Sequence, residues 1–164
     1  MSGFTLLSPE FFDLAWLDRR HEFNGFDGAG ENRSPALQWS GAPAAAKSFA
    51  VTLYDPDAPT GSGFWHWVAF DIPSSVSTLS AGAGSTGTLS LAAGGTQSAN
   101  DFGVHGYGGP CPPKGAGAHR YVFTVHALSQ ERLGVPADTP NPVVRFLIQQ
   151  NTLASARITA HYKR

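Results

Sequence analysis

The sequence contains a single cysteine, Cys111, among its 164 residues. One cysteine cannot form a disulfide within the chain, and it cannot supply a zinc site built from several thiolates. No apolar run approaches the roughly 20 residues that a membrane-spanning helix needs. The first residues, MSGFTLLSPEFFDLAW, lack the basic patch and apolar segment of a signal peptide. We therefore expect a soluble, cytoplasmic protein without integral membrane association.

Charge is also scarce. Charged residues make up 14% of the chain, and the net charge is −1. Such a chain has no electrostatic signature of nucleic-acid binding or of attraction to an anionic membrane. Hydrophobic residues make up 41%, which argues against disorder driven by charge. The length suits one domain with a sizeable core, and we expect a single domain over residues 1–164.

Several familiar enzyme signatures are missing. A phosphate-binding G-x-x-x-x-G-K-[ST] motif does not occur, because Lys114 is followed by glycine. The glycines between 103 and 108 do not spell a dinucleotide-binding motif, and neither H-E-x-x-H nor G-x-S-x-G is present. The sequence thus gives no motif support for an NTPase, a dinucleotide-dependent enzyme, a zinc protease or an α/β-hydrolase.

The apolar segments that are present favour strands. With 19 glycines and 12 prolines, many turns and few helices are expected. Alternation puts residues 49, 51, 53 and 55 on one strand face, and likewise residues 119, 121, 123 and 125. In FWHWVAFD (64–71), the same rule places Phe64, His66, Val68 and Phe70 together.

Few segments of the sequence favour a helix. A C-terminal helix is predicted from Asn141 as cap, Pro142 in the first turn, and the segment 143–156. ARITAHY (156–162) is predicted to be a closing strand, and the Gly/Ser/Ala/Thr-rich segment 80–100 a surface connection. The predicted fold is mostly β, with one or two peripheral helices.

Polar residues at core positions are the candidates for function. Asp55 ends a core-facing strand, although DPDAP (55–59) also suits a turn, with Asp57 as a turn or cap residue. His66 is equally compatible with a core histidine bonded to a carbonyl group. The segment 103–121 adds Tyr107, His119 and Tyr121, and its glycine amides could form an anion-binding nest. Arg120 should point away from them, toward a structural carboxylate.

These motifs resemble the phosphatidylethanolamine-binding protein family, in its bacterial Raf-kinase-inhibitor-like branch. The resemblance rests on NRSPALQW (32–39), YDPDAPTGSGFWHWVAFDIP (54–73), GYGGPCPPKGAGAHRYVFTVHAL (106–128) and the C-terminal ASARITAHY. It implies a β-sandwich-like fold around a central antiparallel sheet, with a small anion-binding pocket at one end. By the resemblance, the pocket residues are Asp55, His66, His119 and Tyr121, while Asp57 and Pro59 shape the first loop and Pro112 and Pro113 the second. Tyr107 and Gly109 complete the expected ligand-binding set.

The function expected from this resemblance is non-enzymatic binding of a small phosphorylated ligand or phospholipid head group, such as phosphoethanolamine. One alternative is a kinase or serine-protease inhibitor that acts through its surface, and another is a hydrolase using the His/Asp set. The sequence leaves a homodimer as an open alternative for the oligomeric state. No cofactor is expected. We also expect a cis bond before Pro59 or around Pro112–Pro113, where the loops must turn tightly.

We predict that the fold requires no metal. Asp55, Asp57, His66 and His119 could in principle coordinate an ion, yet their spacing has no metal specificity. Protein purified without an affinity tag should melt at the same temperature with and without chelator. Stoichiometric zinc, or a large loss of stability in chelator, would contradict this prediction.

Overall fold

The computed structural model describes residues 3–164, which form two antiparallel sheets and one α-helix. The strands are β1 (Thr5–Leu7), β2 (Leu37–Ser40), β3 (Ser48–Asp55), β4 (Phe64–Pro73), β5 (Thr78–Leu79), β6 (Thr96–Gln97), β7 (His119–Leu128) and β8 (Thr152–Tyr162). A 3-10 turn spans Arg19–His21, and helix α1 spans Asn141–Asn151. The small sheet has the order β1-β2-β5, and the large one β6-β4-β3-β7-β8. Within residues 3–164, no helix is long and apolar enough to cross a membrane.

The large sheet is covered on both faces. Its inner face carries residues such as Val51, Leu53 and Phe123, which pack against Leu37 and Trp39 of the small sheet. Its outer face packs against α1 in a second cluster of Ala50, Val68, Phe70, Leu128, Val144 and Ile148. The predicted mostly β fold, with a central antiparallel sheet and a helix near the C-terminus, is confirmed.

A β-bulge in β4 changes the direction of its side chains. Leu53 pairs with Trp67 while the next residue, Tyr54, pairs with Trp65, so His66 is an extra residue in β4. The prediction that His66 shares a face with Val68 is therefore wrong. Trp67 packs in the core between the sheets, and the His66 ring lies 5.5 Å from the Tyr121 ring on that same inner face. The bulge is what turns His66 away from the helix.

The C-terminal helix differs from the prediction at both ends. Asn141 is its first residue rather than its cap, and the Asn141 side chain donates to Ala99 O and Asp101 Oδ1 at 3.0 Å each. The helix ends at Asn151, and β8 begins at once with Thr152. Residues 152–156 are thus strand, because pairing with β7 over its whole length outweighs their helical periodicity.

The segment 80–100 is more than a surface connection. It contains β6, which pairs with β4, and its Gln97, Ser98 and Asn100 side chains are buried. Gln97 Oε1 accepts a hydrogen bond from Trp67 Nε1 at 2.8 Å, and Gln97 Nε2 donates to Thr88 Oγ1 at 2.9 Å. This segment therefore packs against one edge of the core and covers it.

The expectation of a cis X-Pro bond is also wrong. Every peptide bond among the described residues is trans. The two loops that contain Pro59 and Pro112–Pro113 turn instead at glycines with positive φ, which a residue with a Cβ rarely adopts: Gly61, Gly63, Gly115 and Gly117.

Replacing Gln97 with leucine should lower the free energy of unfolding by about 1–3 kcal/mol, because it leaves the buried Trp67 N–H without an acceptor. Urea denaturation measures the change. The matched control is Gln150→Leu on the exposed side of α1, which should change stability by about 0.5 kcal/mol or less. Equal effects of the two substitutions would show that the Gln97–Trp67 hydrogen bond does not matter.

Candidate functional site

A cavity of about 170 Å³ opens where β3, β4 and β7 meet the two proline-containing loops. The structure brings the following predicted site residues to its wall: Asp55, Pro59, His66, Pro112, Pro113, His119 and Tyr121. The wall also contains residues that were not predicted: Ala58, Thr60, Phe64, Phe102 and Cys111. Strand ends and loops distant in sequence thus converge on one small, mostly apolar space.

Asp55 and His119 form a buried pair at this cavity. Their exposed fractions are 2% and 5%, and His119 Nδ1 lies 2.7 Å from Asp55 Oδ2. The Asp55 Oδ1 atom accepts from the Asp57 backbone N–H at 2.8 Å. Both carboxylate oxygens are therefore engaged within the protein, and the His119 Nδ1–H is fixed on Asp55. Any polar contact of His119 with a ligand is left to Nε2.

Asp57 does not line the cavity. It accepts from Arg120 through the backbone N–H, Nε and Nη2 at 2.9, 3.0 and 2.8 Å. These hydrogen bonds hold the pKa of Asp57 down at about 2. Asp57 and Arg120 thus form a bridge between the two loops, and Arg120 points to a structural carboxylate as the sequence suggested.

His66 is held in one tautomer by the backbone. Its Nδ1 lies 2.7 Å from Gly108 O, so Nδ1 carries the hydrogen and Nε2 is an acceptor in the neutral ring. Desolvation lowers the pKa of His66 to about 4. At neutral pH this ring is uncharged, and it offers an acceptor rather than an imidazolium donor.

Tyr121 presents an unsatisfied hydroxyl group. The residue is fully buried, and its hydroxyl group makes no hydrogen bond of ordinary geometry, although the Asp55 carboxylate lies near enough to interact with it. Desolvation, and after it the negative charge of Asp55, raises the pKa of Tyr121, so the phenol keeps its proton. Buried hydroxyls nearly always have a partner. The Tyr121 O–H is therefore a weakly engaged donor in the wall of the cavity, next to the Asp55 carboxylate.

Tyr107 and Gly109 lie outside the cavity. The Tyr107 hydroxyl donates to His21 O at 2.8 Å, and a Cβ added at Gly109 would collide with that same carbonyl oxygen. The amides of residues 106–109 cannot contribute to the amide nest predicted for segment 103–121, because all four donate within the chain. Their acceptors are Ser98 O, Gly84 O, His66 O and Asn32 Oδ1.

The residues that sequence reasoning missed are mainly apolar. Phe64 precedes His66 by two residues, so the strand pattern could have placed it beside the histidine. No local signal marks Phe102, whose ring lies 4.6 Å from that of Phe64 and 5.5 Å from that of His66. Desolvation raises the pKa of Cys111, which disfavours a thiolate.

The site shows no obvious metal-ligand set. Among residues 3–164, no group of three or more His, Cys, Asp or Glu side chains is arranged to hold a metal ion. The expectation that the fold needs no metal stays a prediction.

Comparisons with known proteins agree with this architecture. A family model described as phosphatidylethanolamine-binding protein matches residues 8–163. The UPF0098 protein YbhB of Escherichia coli (strain K12) is 48% identical over 157 residues, which cover 96% of this chain and 98% of YbhB. The UPF0098 protein YbcL of the same strain is 44% identical over 162 residues, which cover 99% of this chain and 88% of YbcL.

A solved structure gives the same result. The crystal structure of E. coli YbcL, described as a new member of the mammalian PEBP family, aligns with a TM-score of 0.93 and 45% identity. The alignment covers 98% of each chain. With a family model matching nearly the whole chain and close relatives over its full length, this protein belongs to the phosphatidylethanolamine-binding protein family.

Proposed function

We propose that the cavity binds small phosphate-bearing molecules, such as phosphoethanolamine, and holds them without chemical reaction. The observation that carries this proposal is the buried Tyr121 hydroxyl at the cavity wall, a donor that makes no hydrogen bond of ordinary geometry, beside the Asp55–His119 pair. A phosphate oxygen is a strong acceptor, and a charged acceptor makes the stronger kind of hydrogen bond.

The volume of the cavity limits the size of the ligand. Its volume of about 170 Å³ lies below the range of roughly 300–1,000 Å³ that is common for drug-sized ligands. A head group fits such a space better than a nucleotide does. The walls formed by Phe64, Phe102 and the prolines exclude water, and this strengthens the few polar contacts that a ligand makes.

The polar residues divide into binding and positioning roles. Tyr121 would donate to a phosphate oxygen, whereas Nε2 of His119, whose Nδ1 carries the hydrogen, would accept from a protonated phosphate oxygen. Asp55 already accepts two hydrogen bonds within the protein, so its role is to orient His119. The neutral His66 Nε2 would accept a hydrogen bond from a protonated phosphate oxygen or an ammonium group.

The chemistry of the wall supports binding rather than turnover. A nucleophile needs a lowered pKa or a base committed to it. The pKa of Cys111 and the pKa of Tyr121 are both raised, chiefly by desolvation. The His119 Nδ1 is committed to Asp55, and no hydroxyl or thiol among the described residues forms a hydrogen bond with His119.

Phosphoethanolamine should stabilise the fold. At about 100 times its dissociation constant, the gain is roughly 2.7 kcal/mol, a rise in Tm of about 5–10 °C for a domain of this size. His119→Gln should abolish the shift, because its amide can still donate to Asp55 but the ring nitrogen is lost. His119→Ala suits the test less well, because it would leave a buried carboxylate unpaired.

Two controls distinguish binding of the phosphate group in this cavity from general effects of a solute or of a substitution. Ethanolamine, which lacks the phosphate, should give no shift, and His161→Ala, outside the cavity, should respond like wild type. The proposal fails if wild type and His119→Gln respond alike to phosphoethanolamine. Release of inorganic phosphate from the bound ligand would contradict the non-enzymatic role.

Tyr121→Phe should weaken the binding of phosphoethanolamine without lowering the stability of the fold. Losing a hydrogen bond to a charged oxygen costs about 1.5–3 kcal/mol, so phosphoethanolamine should bind roughly 10- to 150-fold more weakly. The free energy of unfolding should change little, because the hydroxyl makes no hydrogen bond of ordinary geometry within the protein. Calorimetric titration and urea denaturation measure the two quantities. A variant that loses stability but binds normally would show that the hydroxyl is structural.

A further inference from the structure

A second cavity lies on the opposite face of the large sheet, beneath α1. Its volume is about 290 Å³, larger than that of the first. The residues that line it are Thr52, Trp65, His126, Pro142, Arg145, Phe146, Ile148 and Gln149. None of them lines the first cavity, and the function proposed above makes no use of them.

Arg145 is held in place at this cavity without a salt bridge, although the negative charge of Asp101 acts on it. Its guanidinium lies 4.2 Å from the centre of the Trp65 ring, and its Nε donates to Asn141 Oδ1 at 2.9 Å. It forms no ion pair with any carboxylate of residues 3–164. Desolvation lowers the pKa of Arg145, which reflects its partial burial. The two Nη groups are left to face solvent or a ligand.

The floor of the cavity is polar, and one of its polar atoms has no hydrogen-bond partner. His126 is 7% exposed, and its Nε2 lies 3.2 Å from Thr52 Oγ1, itself on a residue that is 4% exposed. The other ring nitrogen, Nδ1, is buried and has no partner. A buried polar atom without a partner is rare enough to need an explanation. A core with no further role would be expected to carry an apolar side chain at this position.

We propose that this second cavity binds a small monocarboxylate with a flat apolar body. The carboxylate would lie on the Nη groups of Arg145, and the body would lie against Phe146 above the Thr52–His126 floor, since the faces of the Trp65 ring are taken by Tyr54 and by Arg145 itself. Guanidinium and carboxylate match in shape and charge, and two parallel hydrogen bonds can join them.

The composition of the cavity favours a carboxylate over a phosphate. Arg145 is its only cationic side chain, since the His126 ring is neutral at pH 7 because desolvation lowers its pKa to about 4. One guanidinium balances one negative charge, whereas a phosphate dianion would need further donors. The aromatic and aliphatic walls then suit an apolar body of limited size.

Benzoate is the probe, with benzyl alcohol as its uncharged counterpart. Titration of ¹⁵N-labelled protein should move the Trp65 indole N–H signal and the amide signals around His126 in a saturable manner. Benzyl alcohol should bind at least about tenfold more weakly, since it lacks the charged hydrogen bonds. His119→Gln should bind benzoate as wild type does, because the first cavity is not involved.

Two variants test the role of the guanidinium. Arg145→Gln should weaken benzoate binding at least about tenfold, whereas Arg33→Gln, which removes an equal charge at an exposed position elsewhere, should not. The wild-type comparison of benzoate with benzyl alcohol stands even if Arg145→Gln folds poorly. The proposal is overturned if benzoate moves only signals of the first cavity, binds no better than benzyl alcohol, or produces no saturable shift.

Discussion

The Asp55 carboxylate is almost fully withdrawn from water, so its charge must be satisfied within the protein. The Asp57 amide and His119 do this, and Arg120 in turn holds the Asp57 side chain. His119 and Arg120, at the start of β7, thus bind Asp55 at the end of β3 and Asp57 two residues beyond it. This double contact fixes the separation of the two loops, and the cavity exists because that separation is maintained.

Strand alternation predicted the fold well where the strands are regular. On β3 and β7 it placed Asp55, His119 and Tyr121 on the inner face, where the structure has them. On β4 it failed for His66, because one extra residue reverses the pattern and no feature of the sequence marks the bulge. Composition also gave a wrong prediction for Gln97. The many small polar residues around it suggested an exposed segment, but its hydrogen bond with Trp67 lies in the buried core.

Motif resemblance predicted the neighbourhood of the site better than the role of each residue. Tyr107 and Gly109 belong to the same motif as His119, yet they build the loop rather than the cavity wall. Phe102 could not have been found, because its contact with His66 depends on how distant segments pack. The sequence therefore predicted most polar groups of the site and missed much of its apolar wall.

The alternation of side chains at the start of β4 has a consequence for how the two faces of the sheet relate. Trp65 lines one cavity and His66 the other, so adjacent residues joined by one peptide group serve opposite sides of the molecule. A displacement of that peptide by an occupant on either side would alter the geometry of both. By thermodynamic linkage, any effect of one occupant on the affinity for the other would be equal in both directions.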